Sequence, residues 1–262
     1  MKAIILAAGI GSRLKKYTQN LPKGMLEYKG KTLIERQIET YRKNGITDII
    51  VVRGFAAEKI TYSDIKYFDN KNYSSTNMVE SLLQARSEFN DDIIVSYSDI
   101  VFEERLLQKM ISSNVDYGVA VDDNWKEYWL IRYGRIDFDT ESLTIDSNDN
   151  ITELGKDSPS VDTICARYIG LLKFSKFGLN NILSMMDVAY KNYKDKPWQQ
   201  SGKVVFQAYM TDLLNALIQS GEAVKAVHFN NGWLEFDTNE DYEKAVDNSN
   251  SHLFNNICKI VN

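Results

Sequence analysis

Short, mostly apolar runs alternate along the first half of the chain with segments in which apolar residues recur every three or four positions. The runs at residues 2–7, 48–53 and 93–97 have the length of buried strands. Residues 32–42 and 78–87 are predicted helices, and the first of them carries an apolar stripe and stops before a glycine. This alternation of strands and helices predicts an α/β fold with a mostly parallel sheet and right-handed crossovers.

The second half of the chain is less regular, but strand and helix patterns continue through it. The pattern predicts strands at 117–121, 151–156, 166–172 and 233–236, the second of them at the edge of a hairpin, and helices at 174–194, 207–221 and 240–247. Residues 248–262 begin with a polar stretch, which is typical of a tail or a linker. We therefore expect the folded domain to span residues 1–247.

A glycine-rich stretch, LAAGIGSRL at residues 6–14, ends the first predicted strand. Gly9 and Gly11 permit positive φ and let the backbone approach a ligand closely, because they lack a Cβ atom. Backbone amides in a loop of this kind bind phosphate oxygens, and Arg13 and Lys23 add positive charge nearby. The stretch therefore predicts a phosphate-binding site, with a plain turn as the simpler alternative.

Two other phosphate-binding loops fit these residues less well. A dinucleotide-binding Rossmann loop has a third glycine where this chain has Leu14, and an acid where the second predicted strand ends in Arg53, although an arginine there would suit NADP. A P-loop has Gly-Lys-Ser/Thr after four spacers, whereas residues 23–25 run Lys-Gly-Met. Both alternatives are therefore disfavoured.

The stretch LAAGIGSRL, followed by Pro-Lys at residues 22–23, resembles the opening motif of nucleotidyltransferases, which join nucleoside triphosphates to sugar phosphates and related phosphate compounds. Two acids at the ends of predicted strands agree with that resemblance: Asp99, and Asp237 at the start of a D-T-x-E-D motif. The alternative for each acid is a turn or a helix cap. The resemblance implies a three-layer Rossmann-like domain with a mostly parallel central sheet, in which Asp99 and Asp237 bind Mg²⁺.

The resemblance also implies roles in nucleotide binding and catalysis. It implies in-line attack of an acceptor on the α-phosphorus, with Arg13 on the β- and γ-phosphates and Lys23 at the α-phosphorus as the catalytic residues. Ala8, Gly9 and residues 75–77 are implied to contact the base. The full implied nucleotide-binding set is Leu6, Ala8, Gly9, Gly11, Ser12, Arg13, Lys23, Ser75, Asn77 and Asp99.

Further segments narrow the resemblance to a small CTP-using branch. Residues 76–79, 96–101, 124–129, 168–171 and 232–235 look most like the cytidylyltransferases found with phosphonate biosynthesis, which join CTP to 2-aminoethylphosphonate. The phosphocholine and phosphoglutamine enzymes of this branch remain alternatives. So do a sugar-1-phosphate nucleotidyltransferase and a non-catalytic nucleotide-sensing relative. Some of the phosphonate enzymes are fused to other pathway enzymes, and a linker-like tail fits such a fusion.

The implied acceptor site lies in an inserted region at about residues 115–205, with Glu235 added from a later strand. Asp122, Trp129 and Glu235 are the expected contacts of an acceptor ammonium, because acidic and aromatic groups both stabilise a cation. Core packing is the alternative for the tryptophan. The full expected acceptor set, with the lysine on the phosphonate, is Asp122, Trp129, Lys156, Tyr168 and Glu235.

Composition restricts the remaining functional classes. The 262 residues are 44% hydrophobic and 26% charged, as in ordinary globular chains, and no apolar stretch reaches the roughly 20 residues that span a bilayer. The net charge of −5 argues against general nucleic-acid binding, whereas the ten basic and three acidic residues of positions 1–45 suit an end that receives a triphosphate. The two cysteines form no metal or disulfide pattern, and no signal peptide is evident. We expect a cytoplasmic protein whose partners are CTP and a small acceptor.

Overall fold

A 7-stranded sheet forms the centre of the protein in the computed structural model, which describes residues 1–157, 159–249 and 251–260. In chain order the strands are β1 Lys2–Ala7, β2 Glu27–Tyr28, β3 Lys31–Thr32, β4 Ile49–Arg53, β5 Lys66–Asp69, β6 Ile93–Tyr97, β7 Ile100–Phe102, β8 Tyr117–Asp122, β9 Glu141–Ile145, β10 Ile151–Asp157, β11 Arg167–Phe174, β12 Val224–Phe229 and β13 Trp233–Glu235. The helices are α1 Lys15–Thr18, α2 Leu33–Lys43, α3 Met78–Gln84, α4 Glu104–Ser112, α5 Trp125–Tyr133, α6 Lys176–Asn192, α7 Met210–Gln219, α8 Asn239–Asp247 and α9 His252–Ile257.

The central sheet has the order β12-β8-β11-β6-β1-β4-β5. Its neighbouring strands run parallel except at β11, which is antiparallel to both β6 and β8. The predicted α/β fold with a mostly parallel central sheet is therefore confirmed. The exception matters for the site, because the amino end of β11 lies at the same edge as the carboxyl ends of its neighbours.

Burial on both faces explains why β1 is a continuous apolar run. Ala3 and Ile5 pack into the core on one face of the sheet, whereas Ile4 and Leu6 pack into the core on the other. Helices α2 and α4 contribute to the first core, and α3, α6 and α7 contribute to the second. A parallel sheet covered by helices on both faces has three layers, and its strands carry apolar residues in succession.

Caps decide where the predicted helices begin. The Thr32 side chain accepts a hydrogen bond from the amide of Glu35 at 3.1 Å, so Thr32 is the N-cap and α2 starts at Leu33. The helix predicted at 174–194 is shorter, because β11 continues to residue 174 and Ser175 caps α6. The helices predicted at 78–87 and 207–221 also lose residues at their ends to 3₁₀ turns. The elements without a counterpart in the sequence prediction include α4, β9 and β12 and the short elements α1, α9, β2 and β3.

The end of the chain packs onto the domain instead of forming a tail or linker over its described residues. Phe254, Ile257 and Cys258 are buried in the same core as α2, and the side chain of Ile257 is 0% exposed. The Gly232 amide donates to the carbonyl of Ile257, and the Lys259 amide donates to Glu103 Oε1 at 2.7 Å. The sequence predicts a tail or linker at 248–262 because this segment begins with polar residues. The apolar residues that follow them are the ones that pack into the core.

The region expected at residues 115–205 is only partly an insertion. It supplies β8 and β11 to the central sheet, and between them it adds α5 and the antiparallel β9–β10 pair. The predicted hairpin edge at 151–156 corresponds to β10. Within the described ranges, no helix is both long and apolar enough to cross a membrane.

Candidate active site

Two adjoining cavities, of about 340 and 710 Å³, open at the carboxyl ends of β1 and β6. The first cavity lies against the glycine-rich stretch and the start of α3, and the second lies between the starts of β9 and β11 and the end of β10. Both are lined by Arg13, Met78, Tyr97, Asp99 and Asp237. Ligands of open α/β sheets bind at this edge, so the shared wall is where two ligands would meet.

The glycine-rich stretch turns sharply beneath the first cavity. Gly11 has φ +67°, in the left-handed region that favours glycine, and a Cβ atom there would lie 3.3 Å from the Cβ atom of Lys23. The Thr18 hydroxyl donates to the Gly11 carbonyl at 2.9 Å and fixes the turn. Glycine at this position therefore allows the loop to approach Lys23 closely.

A short antiparallel strand pair brings the two predicted metal ligands together. Asp99 lies between β6 and β7, and Asp237 follows β13 by two residues. Strands β13 and β7 pair, and the amide of Phe236 donates to the Asp99 carbonyl at 3.0 Å. Asp99, Glu235 and Asp237 each offer one carboxylate oxygen, and these three oxygens lie within 4.8 Å of one another. Helix α8 is capped by Thr238 and Asp241, so Asp237 is not the cap.

Two cations hold the aspartates together. Lys23 Nζ donates to Asp99 Oδ2 at 2.7 Å and also to Asp237, while Arg13 pairs with Asp237 and, at 3.2 Å, with Asp139. Burial by itself would raise the pKa of Asp237, but Lys23 and Arg13 hold it below its ordinary value. Burial likewise works to lower the pKa of Lys23, and the two carboxylates outweigh it and raise that pKa. The charged forms are therefore strongly favoured.

One carboxylate oxygen in this cluster lacks a partner. Asp99 Oδ1 is shielded from water and has no hydrogen-bond donor among the described residues. Buried acceptors are rarely left without a donor or a cation. The free oxygen and the two neighbouring carboxylates form a set of hard oxygen donors that suits a divalent cation.

Glu235 is held by a buried arginine. Arg132 donates to Glu235 Oε2 at 2.6 Å and to Asp241 Oδ2 at 2.8 Å, and its side chain is 2% exposed. Burial raises the pKa of the Glu235 carboxyl above its ordinary value, although Arg132 opposes the shift. The aromatic residues of α5 pack on this guanidinium, whose Cζ lies 4.8 Å from the ring centre of Trp129.

Most of the predicted nucleotide-binding residues line the first cavity. Ser75 does not: it is exposed, and its amide donates to the Asn72 carbonyl at 3.0 Å. The neighbouring Thr76 lines the cavity instead, and the Asn77 side chain accepts from the amide of Met78 at 2.9 Å at the start of α3. The predicted residues that line the cavity are Leu6, Ala8, Gly9, Gly11, Ser12, Arg13, Lys23, Asn77, Asp99 and the metal-ligand candidate Asp237.

The structure separates the predicted acceptor residues into two groups. Lys156, Tyr168 and Glu235 line the second cavity. Asp122 and Trp129 are 0% exposed and line neither cavity, so the expectation that they contact an acceptor ammonium is wrong for this structure. Their polar atoms are already bonded within the protein.

The contacts of these two residues explain their burial. The Asp122 carboxylate accepts from the Trp233 indole at 2.8 Å and from the Asn231 amide at 2.9 Å, which fixes the turn before β13. Trp129 Nε1 donates to the Phe138 carbonyl at 2.8 Å. The core-packing alternative therefore holds for Trp129.

Several residues of the second cavity have no counterpart in the sequence analysis. The Tyr97 hydroxyl accepts from Tyr168 at 2.8 Å, and Gly170 has φ +75° at a register shift of β11, where a Cβ atom would lie 2.7 Å from the Tyr97 ring. Tyr97 ends a predicted strand, so its position at the ligand edge was a usable signal. Glu141 and Arg167 also line this cavity, and no local motif marks them.

A phosphate-type glycine loop that faces a lysine and a carboxylate cluster is typical of nucleotide-binding α/β enzymes, and the protein is of this class. The family can also be given. Residues 3–146 match the model of the MobA-like NTP transferase domain, and the chain belongs to that family.

Two relatives are informative. The chain is 36% identical to a CTP:phosphoglutamine cytidylyltransferase of Campylobacter jejuni over 258 residues, 94% of this chain and 100% of the relative. It is 33% identical to a choline-phosphate cytidylyltransferase of Streptococcus pneumoniae over 152 residues, 56% of this chain and 65% of the relative.

Solved structures support the fold. The CTP:phosphocholine cytidylyltransferase of Streptococcus pneumoniae superposes with a TM-score of 0.71 at 23% identity, over 94% of this chain and 97% of that one. The inositol-1-phosphate CTP transferase of T. maritima superposes with a TM-score of 0.69 at 20% identity, over 93% and 94%.

Proposed function

We propose that the protein is a cytidylyltransferase that transfers CMP from CTP to a small phosphorylated acceptor and releases pyrophosphate. The observation that carries the proposal is the Lys23–Asp99–Asp237 cluster on the boundary between two cavities, one of them beside the glycine loop. Such a boundary suits a reaction in which two anionic ligands meet. The full-length similarity to a relative named for CTP and phosphoglutamine supports the choice of nucleotide.

In the proposed reaction, an oxygen of the acceptor forms a bond to the α-phosphorus of CTP, and the bond from that phosphorus to the bridging oxygen of pyrophosphate breaks. Arg13 would bind the β- and γ-phosphates, and Lys23 would stabilise the charge that develops at the α-phosphorus. No general base is required, since a phosphate or phosphonate oxygen is already ionised at neutral pH. The contribution of these residues is positioning and charge neutralisation.

We also propose that the enzyme uses Mg²⁺, bound by Asp99 and Asp237. The unpartnered Oδ1 atom of Asp99 and the nearby carboxylates are compatible with such an ion. When bound, the ion would polarise the α-phosphate. Arg13 and Lys23 remain responsible for holding the phosphate chain.

For the acceptor, we propose phosphoglutamine ahead of 2-aminoethylphosphonate. The sequence alone favours the phosphonate, but a relative 36% identical over 94% of this chain is named for phosphoglutamine, and one 33% identical over 56% of it is named for choline phosphate. These acceptors share a phosphorus group and a nitrogen function, and the second cavity offers both acidic and basic side chains to them.

The test is pyrophosphate release with Mg²⁺, measured for CTP, UTP, dTTP, ATP and GTP against phosphoglutamine, phosphocholine, 2-aminoethylphosphonate and glucose-1-phosphate. We expect turnover with CTP and phosphoglutamine. Turnover with UTP or dTTP and the sugar phosphate would reject the proposal and keep the fold. No turnover with any pair would favour a non-catalytic nucleotide-binding role.

A further inference from the structure

The second cavity contains a guanidinium group with two nitrogens that have no hydrogen-bond partner among the described residues. Arg167, the first residue of β11, lines this cavity, and its Cζ atom lies 4.6 Å from the ring centre of Trp129. Its Nε and Nη1 atoms are shielded from water and have no hydrogen-bond partner among the described residues. A buried donor without an acceptor is costly, and an anionic ligand would remove that cost.

A second arginine that stacks on the Trp129 ring, Arg132, has a purely structural role and serves as a comparison for Arg167. Arg132 also lies over Trp129, at 4.8 Å, but its nitrogens are bonded to Glu235 and Asp241. Arg132 lines neither cavity. The stacking of Arg167 on the indole fixes the plane of its guanidinium without using its donors.

A carboxylate of opposite charge faces the same cavity. Glu141, the first residue of β9, lines it together with Arg167, and no ion pair joins the two side chains in the described structure. Burial raises the pKa of the Glu141 carboxyl, and the positive charge of Arg167 partly offsets that shift. Lys156, Asp157 and Lys203 line the cavity too and form no ion pair among the described residues, but only Arg167 among these charged residues has buried nitrogens without a partner there. The cavity therefore presents a buried guanidinium and a nearby carboxylate, neither of them in an ion pair among the described residues, to a ligand.

We propose that Arg167 binds a carboxylate of the acceptor and that Glu141 binds its ammonium, so that the acceptor is a phosphorylated amino acid. The inference rests on the proposed function and names the acceptor class. Arg13 and Lys23 already line the first cavity, where the reacting phosphoryl group must reach the nucleotide, whereas Arg167 lines only the second. The planar fork of a guanidinium also matches the two oxygens of a carboxylate.

A matched pair of acceptors tests whether Arg167 binds the acceptor carboxylate. Phosphoglutamine is compared with the same compound in which hydrogen replaces the α-carboxylate, for the wild-type enzyme, Arg167→Met, Arg167→Lys and the control Arg135→Met. Arg135 is exposed, and its one ion pair among the described residues is with Asp137. The readouts are KM and kcat for each acceptor, calorimetric binding of each acceptor, and the melting temperature.

The expected result is a rise of about 10- to 100-fold in KM for phosphoglutamine in Arg167→Met, the size of a lost charged hydrogen bond. KM for the compound without carboxylate changes less than about 3-fold, Arg167→Lys recovers part of the loss, and Arg135→Met behaves as wild type. We expect the affinities measured by calorimetry to follow the same order as the KM values. Calorimetry also measures acceptor binding to a variant whose turnover is too low for kinetics.

Three results would overturn the inference. Equal losses for both acceptors would mean that Arg167 binds the phosphoryl group. Wild-type turnover and binding of phosphocholine or 2-aminoethylphosphonate, but not of phosphoglutamine, would reject the amino-acid acceptor and leave CMP transfer from CTP intact. Absence of phosphoglutamine binding together with absence of turnover of CTP with every acceptor would reject both this inference and the proposed function.

Discussion

Lys23 and Asp237 lie 214 positions apart in the chain and form an ion pair at the wall between the two cavities. Lys23 lies on the segment after β1, and Asp237 lies on the segment after β13. Because the same ammonium also binds Asp99 at 2.7 Å, one cation pairs with two acids, the buried Asp237 and the partly buried Asp99. The pair joins the beginning and the end of the domain at the candidate reaction centre.

Replacing Lys23 tests its catalytic role. We expect Lys23→Ala to lower kcat by about 10²- to 10³-fold, because a group that stabilises charge in the transition state is lost, and to change KM for CTP much less. Steady-state kinetics of pyrophosphate release measure both constants. Lys15→Ala, at an exposed neighbouring lysine, serves as the control. A large rise in KM with an unchanged kcat would make Lys23 a binding residue only.

Removing the metal or one of its proposed ligands tests the carboxylate cluster. We expect chelation to abolish turnover and Mg²⁺ to restore it. In Asp237→Asn, the Mg²⁺ concentration for half-maximal rate should rise about 10- to 100-fold, because an anionic oxygen donor is lost. Asp247→Asn, at an exposed position of α8, should leave the Mg²⁺ titration unchanged. Full activity in excess chelator would contradict the proposed magnesium site.

The Glu88 carboxylate predicts a pH dependence of stability. It accepts from Lys2 at 2.7 Å and from Lys66 at 2.8 Å, and these hydrogen bonds hold its pKa below its ordinary value. A carboxyl with a lowered pKa in the folded state adds stability above its unfolded pKa, and that stability is lost as the pH falls through the folded pKa.

We therefore expect Glu88→Gln to lower the free energy of unfolding by about 1 kcal/mol at pH 7, with the difference closing below about pH 4. Urea unfolding at several pH values measures the gap. Glu58→Gln removes an exposed acid that makes no ion pair in the described structure and should show no gap. A gap that persists at pH 3 would show that charge is not its origin.

Truncating a buried residue of α9 tests whether the end of the chain is part of the folded domain. Ile257→Ala leaves a cavity at a position that is 0% exposed, and we expect it to cost about 2–4 kcal/mol of unfolding free energy. Leu253→Ala on the same helix, where the leucine is 53% exposed, should cost less than about 0.5 kcal/mol. Equal, small losses in denaturant unfolding would mean that the helix is dispensable.

The sequence was sufficient for the features that depend on neighbouring residues. The glycine loop ends a strand, and Asp99 follows one, so the parallel sheet places both at one edge. Burial of Asp122 could not be predicted in the same way, because its partner Trp233 is 111 residues later in the chain. The role of Trp129 likewise depends on a contact with a loop that has no regular pattern.

Strand direction is the other quantity that the hydrophobic pattern does not contain. The apolar run at 166–172 predicts a strand, but not that β11 is antiparallel to its neighbours. In a parallel arrangement its first residue would lie at the opposite edge of the sheet. Arg167 enters the candidate site only because the strand is reversed.

This reversal also bears on how acceptor preference could diverge during evolution. The glycine loop, Lys23 and Asp237 lie outside β11, whereas Arg167 and Tyr168 are its first two residues. Mutations at the beginning of one strand could therefore change which acceptor is recognised, while the inherited nucleotide-binding half and the buried remainder of the strand stay intact.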